Sequence, residues 1–305
     1  MKPVSIGIAG IGNVGEEVVR QLLKSENLNK KFILGGVSYK SKTKKRSSFL
    51  KNIKFFNNPI NLVKDNNIDL IIELIGGDSG IAKELAFSSI TYGKPFITAN
   101  KALIAKHGIE LSNFSKKNNT FIGFEAAIAG GIPIVKVIKE SLVSNKIEQI
   151  TGILNGTSNY LLDEIEKKSL NFETVLKKAQ ELGYAEKDPT FDIEGVDAAH
   201  KISILSALVF NKMPDTDFMH VKGVSKITLD DILFAKKFGY KIKLLAISNH
   251  KNNFECSVEP WMISKNHSLA NIQGVLNAVE IISDLAGPIL LTGAGAGGKA
   301  TASSV

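Results

Sequence analysis

The chain has 305 residues, of which 44% are hydrophobic and 22% charged, and this composition is typical of a globular protein long enough for two domains. The net charge of +8 comes from lysines spread along the chain without interleaved aromatic residues, so we expect no nucleic-acid partner. The single cysteine, Cys256, excludes a disulfide within the chain and a Cys/His zinc cluster, and it fits a reducing, cytoplasmic setting.

The first predicted elements form a βαβ unit. Residues 4–9 and 32–38 are predicted to be strands, with an amphipathic helix at 16–24 between them. The first strand lacks the charged segment and the cleavage site of an export signal. Apolar stretches such as residues 202–210 fall far below the roughly 20 residues of a membrane-spanning helix. We therefore expect neither export nor a membrane partner.

A glycine-rich turn connects the first strand to the first helix. It has the spacing GxGxxG and consists of Gly10, Ile11, Gly12, Asn13, Val14 and Gly15. The glycines allow a tight turn and a close approach of the backbone to a pyrophosphate, which lies at the positive N-terminus of the helix. A purely structural turn is the alternative, but a strand, a helix and a second strand at this spacing favour a dinucleotide site.

The end of the second strand bears on the choice between NADP and NAD. An NAD site usually has an Asp or Glu there to bind the ribose hydroxyls. This sequence offers a hydroxyl and cations instead, in the order Ser38, Tyr39, Lys40, Ser41, Lys42. We therefore expect NADP, with Lys40 near its 2′-phosphate, and keep NAD as the alternative.

Strands and helices continue to alternate after a polar, lysine-rich loop at 40–48. Strands are predicted at 70–75, 96–99 and 121–125, and helices at 80–92 and 102–116. Alternation of this kind predicts the α/β class, with a Rossmann-type, doubly wound parallel sheet covered by helices on both faces.

The alternation ends in a small-residue stretch at 127–133, where we place a domain junction. The later sequence predicts an α+β domain with alternating strands at 146–154 and 242–248. It closes with an apolar strand, the glycine-rich segment 290–299 and the start of a helix at 300–305. The sequence leaves open whether this early end is a short natural form or a truncation.

Six segments, in this order along the chain, resemble the homoserine dehydrogenase family: 10–15, 73–77, 98–103, 125–133, 152–160 and 183–189. The resemblance implies a homodimeric NAD(P)-dependent enzyme that interconverts L-homoserine and L-aspartate 4-semialdehyde in threonine and methionine biosynthesis. It implies a dinucleotide-binding domain at 1–128, a substrate-binding, catalytic and dimerisation domain at 129–288, and a return to the first domain at 289–305. Many members continue into a further helix and some into a regulatory domain, so we expect no end-product inhibition through such a domain.

The most specific segment is an acidic run that ends in a lysine. Within sixteen residues it contains Glu186, Asp188, Asp192, Glu194, Asp197 and Lys201. If residues 196–210 are helical, Asp197 and Lys201 are i,i+4 neighbours, and apolar residues continue the stripe of the lysine. This pattern predicts a buried lysine, with a surface ion pair as the alternative. A desolvated lysine can exchange a proton with an alcohol or carbonyl oxygen, so Lys201 is our candidate general acid/base.

The resemblance implies further roles around this lysine. Glu186 and Asp197 would bind the ammonium of the substrate and orient Lys201, with Asp192 assisting. The pocket would be shaped by Gly156, Thr157 and Tyr184. These acidic residues suit a substrate that carries an amino group.

A second set of candidates concerns the cofactor. Lys101 follows the strand at 96–99, and the resemblance implies that it faces both the nicotinamide and the substrate. A surface lysine at a helix start has the same appearance in sequence. Thr98 and Gly297 would contact the cofactor.

The stretch after Glu125 resembles the alkali-metal site of the family. Glu125 and the backbone carbonyls of Ile128, Gly130 and Ile132 would surround a sodium ion, and oxygen-only ligation suits a hard cation. A glycine-rich hinge with a helix-capping glutamate is the alternative.

Two other functions remain open from sequence alone. One is a related dehydrogenase that acts on aspartate, against which the segment 186–201 argues. The other is a nicotinamide-binding sensor or inactive subunit, against which the complete set of Lys101, Glu186, Asp197 and Lys201 argues.

Overall fold

The computed structural model describes residues 2–40, 48–214, 219–251 and 253–305. The lysine-rich loop predicted at 40–48 lies almost entirely outside these ranges. The chain divides into two compact units, the first made of residues 1–131 and 297–305 and the second of residues 132–296.

The described residues of the first unit form five strands and six α-helices. The strands are β1 (Val4–Ala9), β2 (Phe32–Ser38), β3 (Leu70–Glu73), β4 (Phe96–Thr98) and β5 (Ile122–Gly123). The helices are α1 (Asn13–Lys24), α2 (Glu26–Asn29), α3 (Ile60–Lys64), α4 (Ile81–Thr91), α5 (Lys101–Lys117) and, at the end of the chain, α12 (Gly298–Ser304). The strands form one sheet in the order β2-β1-β3-β4-β5, and all its pairings are parallel.

The central strands of this sheet are buried, as is usual for a parallel sheet with helices on both faces. Residues 5–9 of β1 and 71–73 of β3 are buried at every successive position, and since neighbouring side chains point to opposite faces, both faces of these strands are covered. The predicted α/β class with a Rossmann-type parallel sheet is therefore confirmed.

Several element boundaries differ from the prediction for local reasons. Helix α1 begins at Asn13 rather than at residue 16, because Gly12 is extended and its carbonyl already accepts the amide of Glu16. Strand β3 ends at Glu73 rather than at residue 75, because the Glu73 carboxylate accepts the amides of Ile75 and Gly76. Strand β5 ends at Gly123 rather than at 125, because residues 125–127 form a 3-10 turn.

In the part of the second unit that the structure describes there are six strands and six α-helices. The strands are β6 (Ile147–Ile153), β7 (His220–Val221), β8 (Tyr240–Asn249), β9 (Glu255–Ser264), β10 (Leu276–Ser283) and β11 (Gly287–Ala294). The helices are α6 (Ile134–Lys136), α7 (Gly156–Lys168), α8 (Phe172–Glu181), α9 (Thr190–Ile193), α10 (Val196–Phe210) and α11 (Leu229–Lys237). The strand order is β11-β10-β6-β8-β9-β7, antiparallel except for the pairing of β7 with β9.

The chain returns to the first unit at Gly297, whereas the family resemblance implied a return at residue 289. Residues 287–294 form β11, which pairs along its whole length with β10 and is the edge strand of the second sheet. Only the short helix α12 joins the first unit, where it packs against α1. Among the described residues, no helix has both the length and the apolar character needed to cross a membrane.

Strand β8 places a lysine inside the core of the second unit. Lys243 is 2% exposed, and its Nζ donates to Asn159 Oδ1 at 2.8 Å and to the Ile272 carbonyl at 2.6 Å. Burial lowers the pKa of Lys243 to about 8, against the opposing effect of the nearby Asp163 carboxylate. The ammonium thereby fixes α7 to the segment that precedes β10, at an electrostatic cost.

Replacing Lys243 with Met should remove a pH dependence of stability. The unfolded chain keeps a lysine pKa of about 10.4, so between the two pKa values it binds more protons than the folded chain, and stability rises with pH. Relative to Lys243→Met, the wild-type free energy of unfolding should rise by about 2 kcal/mol between about pH 7.5 and 9.5, measured by urea denaturation. The matched variant Lys241→Met, on the same strand but partly exposed, should behave as wild type. Parallel pH curves for wild type and Lys243→Met would contradict the interpretation.

Candidate active site

An ion pair inside the second unit connects two residues of α10. The helix begins at Val196, after Gly195 with a φ of 82°, and this start places Asp197 and Lys201 one turn apart on its inner side. Asp197 is 4% exposed and Lys201 8%, and Lys201 Nζ lies 2.7 Å from Asp197 Oδ2. Lys201 Nζ also donates to the Leu154 carbonyl at 2.7 Å. The predicted burial of the lysine is confirmed, and the alternative of a surface ion pair is wrong.

Asn155 links this pair to a second acidic residue. Its Nδ2 donates to Asp197 Oδ2 at 3.0 Å and to Asp192 Oδ1 at 2.7 Å. Its Oδ1 accepts the amide of Ser158 and so caps the N-terminus of α7. This residue was not predicted as part of the site, since an Asn after a strand indicates a helix cap and gives no sign of the two carboxylates.

The predicted pocket residues lie beside Asn155. Thr157 Oγ1 lies 2.8 Å from the Tyr184 carbonyl and 3.2 Å from Asp192 Oδ2. A Cβ on Gly156 would come within 2.6 Å of the Val275 carbonyl, so only glycine fits there. Tyr184 is exposed and packs its ring edge-on against Tyr160. Asp192, Asp197, Lys201, Gly156, Thr157 and Tyr184 are therefore brought together.

Glu186 is positioned differently. It is exposed, and its carbonyl, rather than its carboxylate, accepts a hydrogen bond from Gln180 Nε2 at 3.1 Å. Its carboxylate is therefore open to solvent on the loop that follows α8.

This arrangement has the geometry of an acid/base site. A neutral amine at Lys201 would use its two N–H bonds on Leu154 and Asp197 and keep its lone pair for an incoming proton. An ammonium would have a third N–H bond to donate. Asp197 stabilises the charged form, and Asn155 holds Asp197 in place.

In the first unit, the glycine turn has an open side and a packed side. A Cβ on Gly10 would lie 2.4 Å from the Leu74 carbonyl, and one on Gly15 would lie 2.2 Å from the Gly10 carbonyl. A Cβ on Gly12 would meet nothing within 4 Å, and Gly12 and Asn13 are exposed. The turn can therefore accept a phosphate group at the N-terminus of α1. Ile11 is buried and Val14 half-buried, so their side chains serve packing.

The other predicted cofactor residues differ in exposure. Lys40 is exposed just beyond β2, and Lys101 is half-buried as the first residue of α5. Thr98 has no exposed surface, and its hydroxyl donates to Glu73 Oε2 at 2.6 Å. Gly297 is exposed with a φ of 108°, and a Cβ on the next residue, Gly298, would lie 3.2 Å from the Asn13 carbonyl. The end of the chain thus lies beside the start of α1.

The residues predicted to hold sodium can be described within each unit. In the first unit Glu125 is half-buried, and Gly130 has a φ of 53° with its carbonyl accepting the Ser304 hydroxyl. In the second unit the Ile132 carbonyl accepts the amide of Ile134 at 2.8 Å. A carbonyl oxygen has two lone pairs, so each keeps one for a cation. Among the described residues, no three His, Cys, Asp or Glu side chains gather as a metal site.

Comparisons with known proteins agree across both units. A model of the homoserine dehydrogenase family matches residues 133–305, and a model of the NAD-binding domain of homoserine dehydrogenase matches residues 10–125. The homoserine dehydrogenase of Neisseria gonorrhoeae is 43% identical over the whole chain, which covers 71% of that relative. The homoserine dehydrogenase of Helicobacter pylori is 42% identical, with 100% of this chain and 72% of that relative covered.

Solved structures give the same result. The crystal structure of a homoserine dehydrogenase from Thiobacillus denitrificans superposes with a TM-score of 0.93 at 41% identity, over 99% of this chain and 71% of that one. A crystal structure of the homoserine dehydrogenase of S. aureus has a TM-score of 0.87 at 35% identity, over 100% of this chain and 74% of that one.

The bridging amide of Asn155 should contribute to stability beyond its role as a cap. In Asn155→Ser the serine hydroxyl can still cap α7, but the donor shared by Asp192 and Asp197 is lost. We expect the free energy of unfolding in urea to fall by about 1–3 kcal/mol. The matched variant Asn171→Ser, in which the exposed cap of α8 is replaced, should lose less than about 0.5 kcal/mol. Equal losses in the two variants would mean that the bridge is energetically neutral.

Proposed function

The chain belongs to the homoserine dehydrogenase family, and on this premise we propose that it interconverts L-homoserine and L-aspartate 4-semialdehyde through the residues assigned below. It is an NAD(P)-dependent oxidoreductase. The observation that carries the proposal is the buried Lys201, whose amine is held by Asp197 and Leu154 with one position left for a proton.

Lys201 is the proposed general acid/base. In the oxidative direction its neutral amine takes the proton of the alcohol, and in the reductive direction its ammonium returns a proton to the carbonyl oxygen. A bound nicotinamide supplies the acceptor for the hydride in oxidation and the donor in reduction. Asp197 stabilises the ammonium. Because the Leu154 carbonyl and Asp197 can accept N–H bonds from the amine as well as from the ammonium, Nζ keeps the same position in both protonation states.

Acidic residues of the second unit provide the proposed recognition of the substrate amino group. Asp192 is fixed by Asn155 and Thr157, and Asp197 by Asn155 and Lys201. Glu186, on an exposed loop, contributes a carboxylate that is open to an incoming ammonium. Gly156, Thr157 and Tyr184 shape the pocket beside them.

The proposed cofactor contacts lie in the first unit. The glycine turn at 10–15 receives the pyrophosphate, with Gly297 beside it, and Lys101 lies at the start of α5 to face the reacting groups. The exposed Lys40 supports a preference for NADP, which the ratio of kcat/KM for NADPH to that for NADH measures. Thr98 is buried, so we assign it a supporting position under the cofactor rather than a direct contact.

We propose a sodium ion held by Glu125 and the carbonyls of Ile128, Gly130 and Ile132. The lone pair that remains on each of the Gly130 and Ile132 carbonyls supports it, as does the hard, oxygen-only character of the ligands. The ion would order the backbone around Gly130. A higher unfolding temperature in sodium chloride than in potassium chloride is the expected sign.

We also propose a homodimer. The second unit exposes Trp261 and Met262 on β9 and Phe234 and Phe238 on α11, and exposed apolar side chains in such numbers support an interface. The reductive reaction is placed in threonine and methionine biosynthesis, and the compartment proposed is the cytoplasm, which the lone Cys256 suits.

Removing the amine of Lys201 should abolish most of the turnover and leave nucleotide binding intact. In Lys201→Ala we expect kcat to fall about 10²-fold or more, because proton transfer to and from the substrate oxygen is lost. Binding of NADPH, measured by fluorescence, should persist because the glycine turn belongs to the other unit.

Lys167→Ala provides the matched control for this variant. Lys167 also pairs with an aspartate at i,i+4, through Asp163 at 2.9 Å, but it is partly exposed on α7. Its loss should leave turnover within about twofold of wild type, since its hydrogen-bond partners, Asp163 and Gln273, are not among the proposed site residues. Near-normal turnover in Lys201→Ala would exclude the lysine from its proposed role.

A further inference from the structure

The end of β3 carries a carboxylate with no exposed surface. Glu73 is 0% exposed, and its Oε1 accepts the amides of Ile75 at 2.6 Å and Gly76 at 3.0 Å. Its Oε2 accepts the hydroxyl of Thr98 at 2.6 Å. All three bonds are donated to the carboxyl group, which is the pattern of an ionised side chain.

These bonds organise the loop after β3. Gly76 and Gly77 have φ values of 88° and 85°, and the carboxylate holds the chain in this turn. The same loop closes against the glycine turn, where the Leu74 carbonyl occupies the space that a Cβ on Gly10 would need. Glu73 therefore fixes one wall of the dinucleotide site.

A second branch of the network reaches the start of α5. The Thr98 hydroxyl that donates to Glu73 accepts the amide of Asn100 at 2.9 Å. Asn100 donates to the Gly77 carbonyl at 2.6 Å and caps α5 by accepting the amide of Leu103. The next residue along the chain is Lys101, so the position of this lysine depends on Glu73 through two hydrogen-bonded steps.

Glu73 ends β3, on the side of the sheet where the proposed cofactor would place its nicotinamide. A dinucleotide crosses the carboxyl edge of such a sheet where the strand order reverses, here beside β1. With Lys40 beside the adenosine ribose at the end of β2, as proposed above, the nicotinamide half of the molecule would lie over β3 and β4. The oxidised nicotinamide ring carries a positive charge, whereas the reduced ring is neutral.

We propose that Glu73 is a positioning residue of the nicotinamide site and that its buried carboxylate favours the oxidised cofactor over the reduced one. This proposal rests on the proposed function for the identity of the cofactor. It assigns a role to a group that touches neither substrate nor cofactor. For unit charges about 10 Å apart in protein, the electrostatic preference is on the order of tenfold.

The test separates charge from shape with two variants. Glu73→Gln keeps the length of the side chain and loses the charge, whereas Glu73→Asp keeps the charge and cannot reach all three donors. Dissociation constants for NADP⁺ and NADPH are measured by fluorescence titration and competition with the full chain. We expect Glu73→Gln to weaken NADP⁺ about threefold to tenfold more than NADPH, and Glu73→Asp to weaken both alike.

Thr98→Val provides a variant that leaves Glu73 in place. It removes the hydroxyl between Glu73 and Asn100, so kcat should fall severalfold while the ratio of the two dissociation constants stays as in wild type. An unchanged ratio in a folded Glu73→Gln would overturn the proposed charge effect, and wild-type kcat in Thr98→Val would overturn the positioning. Failure of the wild-type chain to turn over homoserine would instead count against the proposed function.

Discussion

The buried ion pair between Lys201 and Asp197 is the constraint around which the second unit is arranged. Two charges removed from water are tolerated only when further hydrogen bonds satisfy them. The Leu154 carbonyl at the end of β6 and the Asn155 amide at the start of α7 supply these bonds, so a strand end and a helix cap must meet α10 at one point. Asp192 joins through the same amide, and this brings α9 to the site.

The parts of the fold that depend on local pattern could be predicted from the sequence. The glycine spacing at 10–15 lies between a strand and a helix as expected, because only glycine fits where Leu74 and Gly10 crowd the backbone. The burial of Lys201 followed from its position on an apolar helical stripe. The edge strand β11 was instead assigned to the return segment, since its pairing with β10 depends on contacts that a sequence pattern does not reveal.

The parts that could not be predicted are polar groups whose partners are distant in sequence. Asn155 has the local signature of a cap, yet its amide serves carboxylates 37 and 42 residues away. Thr98 was assigned to the cofactor by resemblance, but it is fully buried against Glu73. Lys243 lies on a strand whose alternation gives no sign of a buried ammonium. In each case tertiary hydrogen bonds override what the residue type suggests.

The central claim is that the buried pair in the second unit serves a substrate with an alcohol and an ammonium group. The most direct measurement is the appearance of reduced nicotinamide when the purified chain is mixed with NADP⁺ and either L-homoserine or L-aspartate. The account predicts reduction with homoserine and none with aspartate. A folded, nucleotide-binding protein that is inactive with homoserine, or that oxidises aspartate instead, would contradict it.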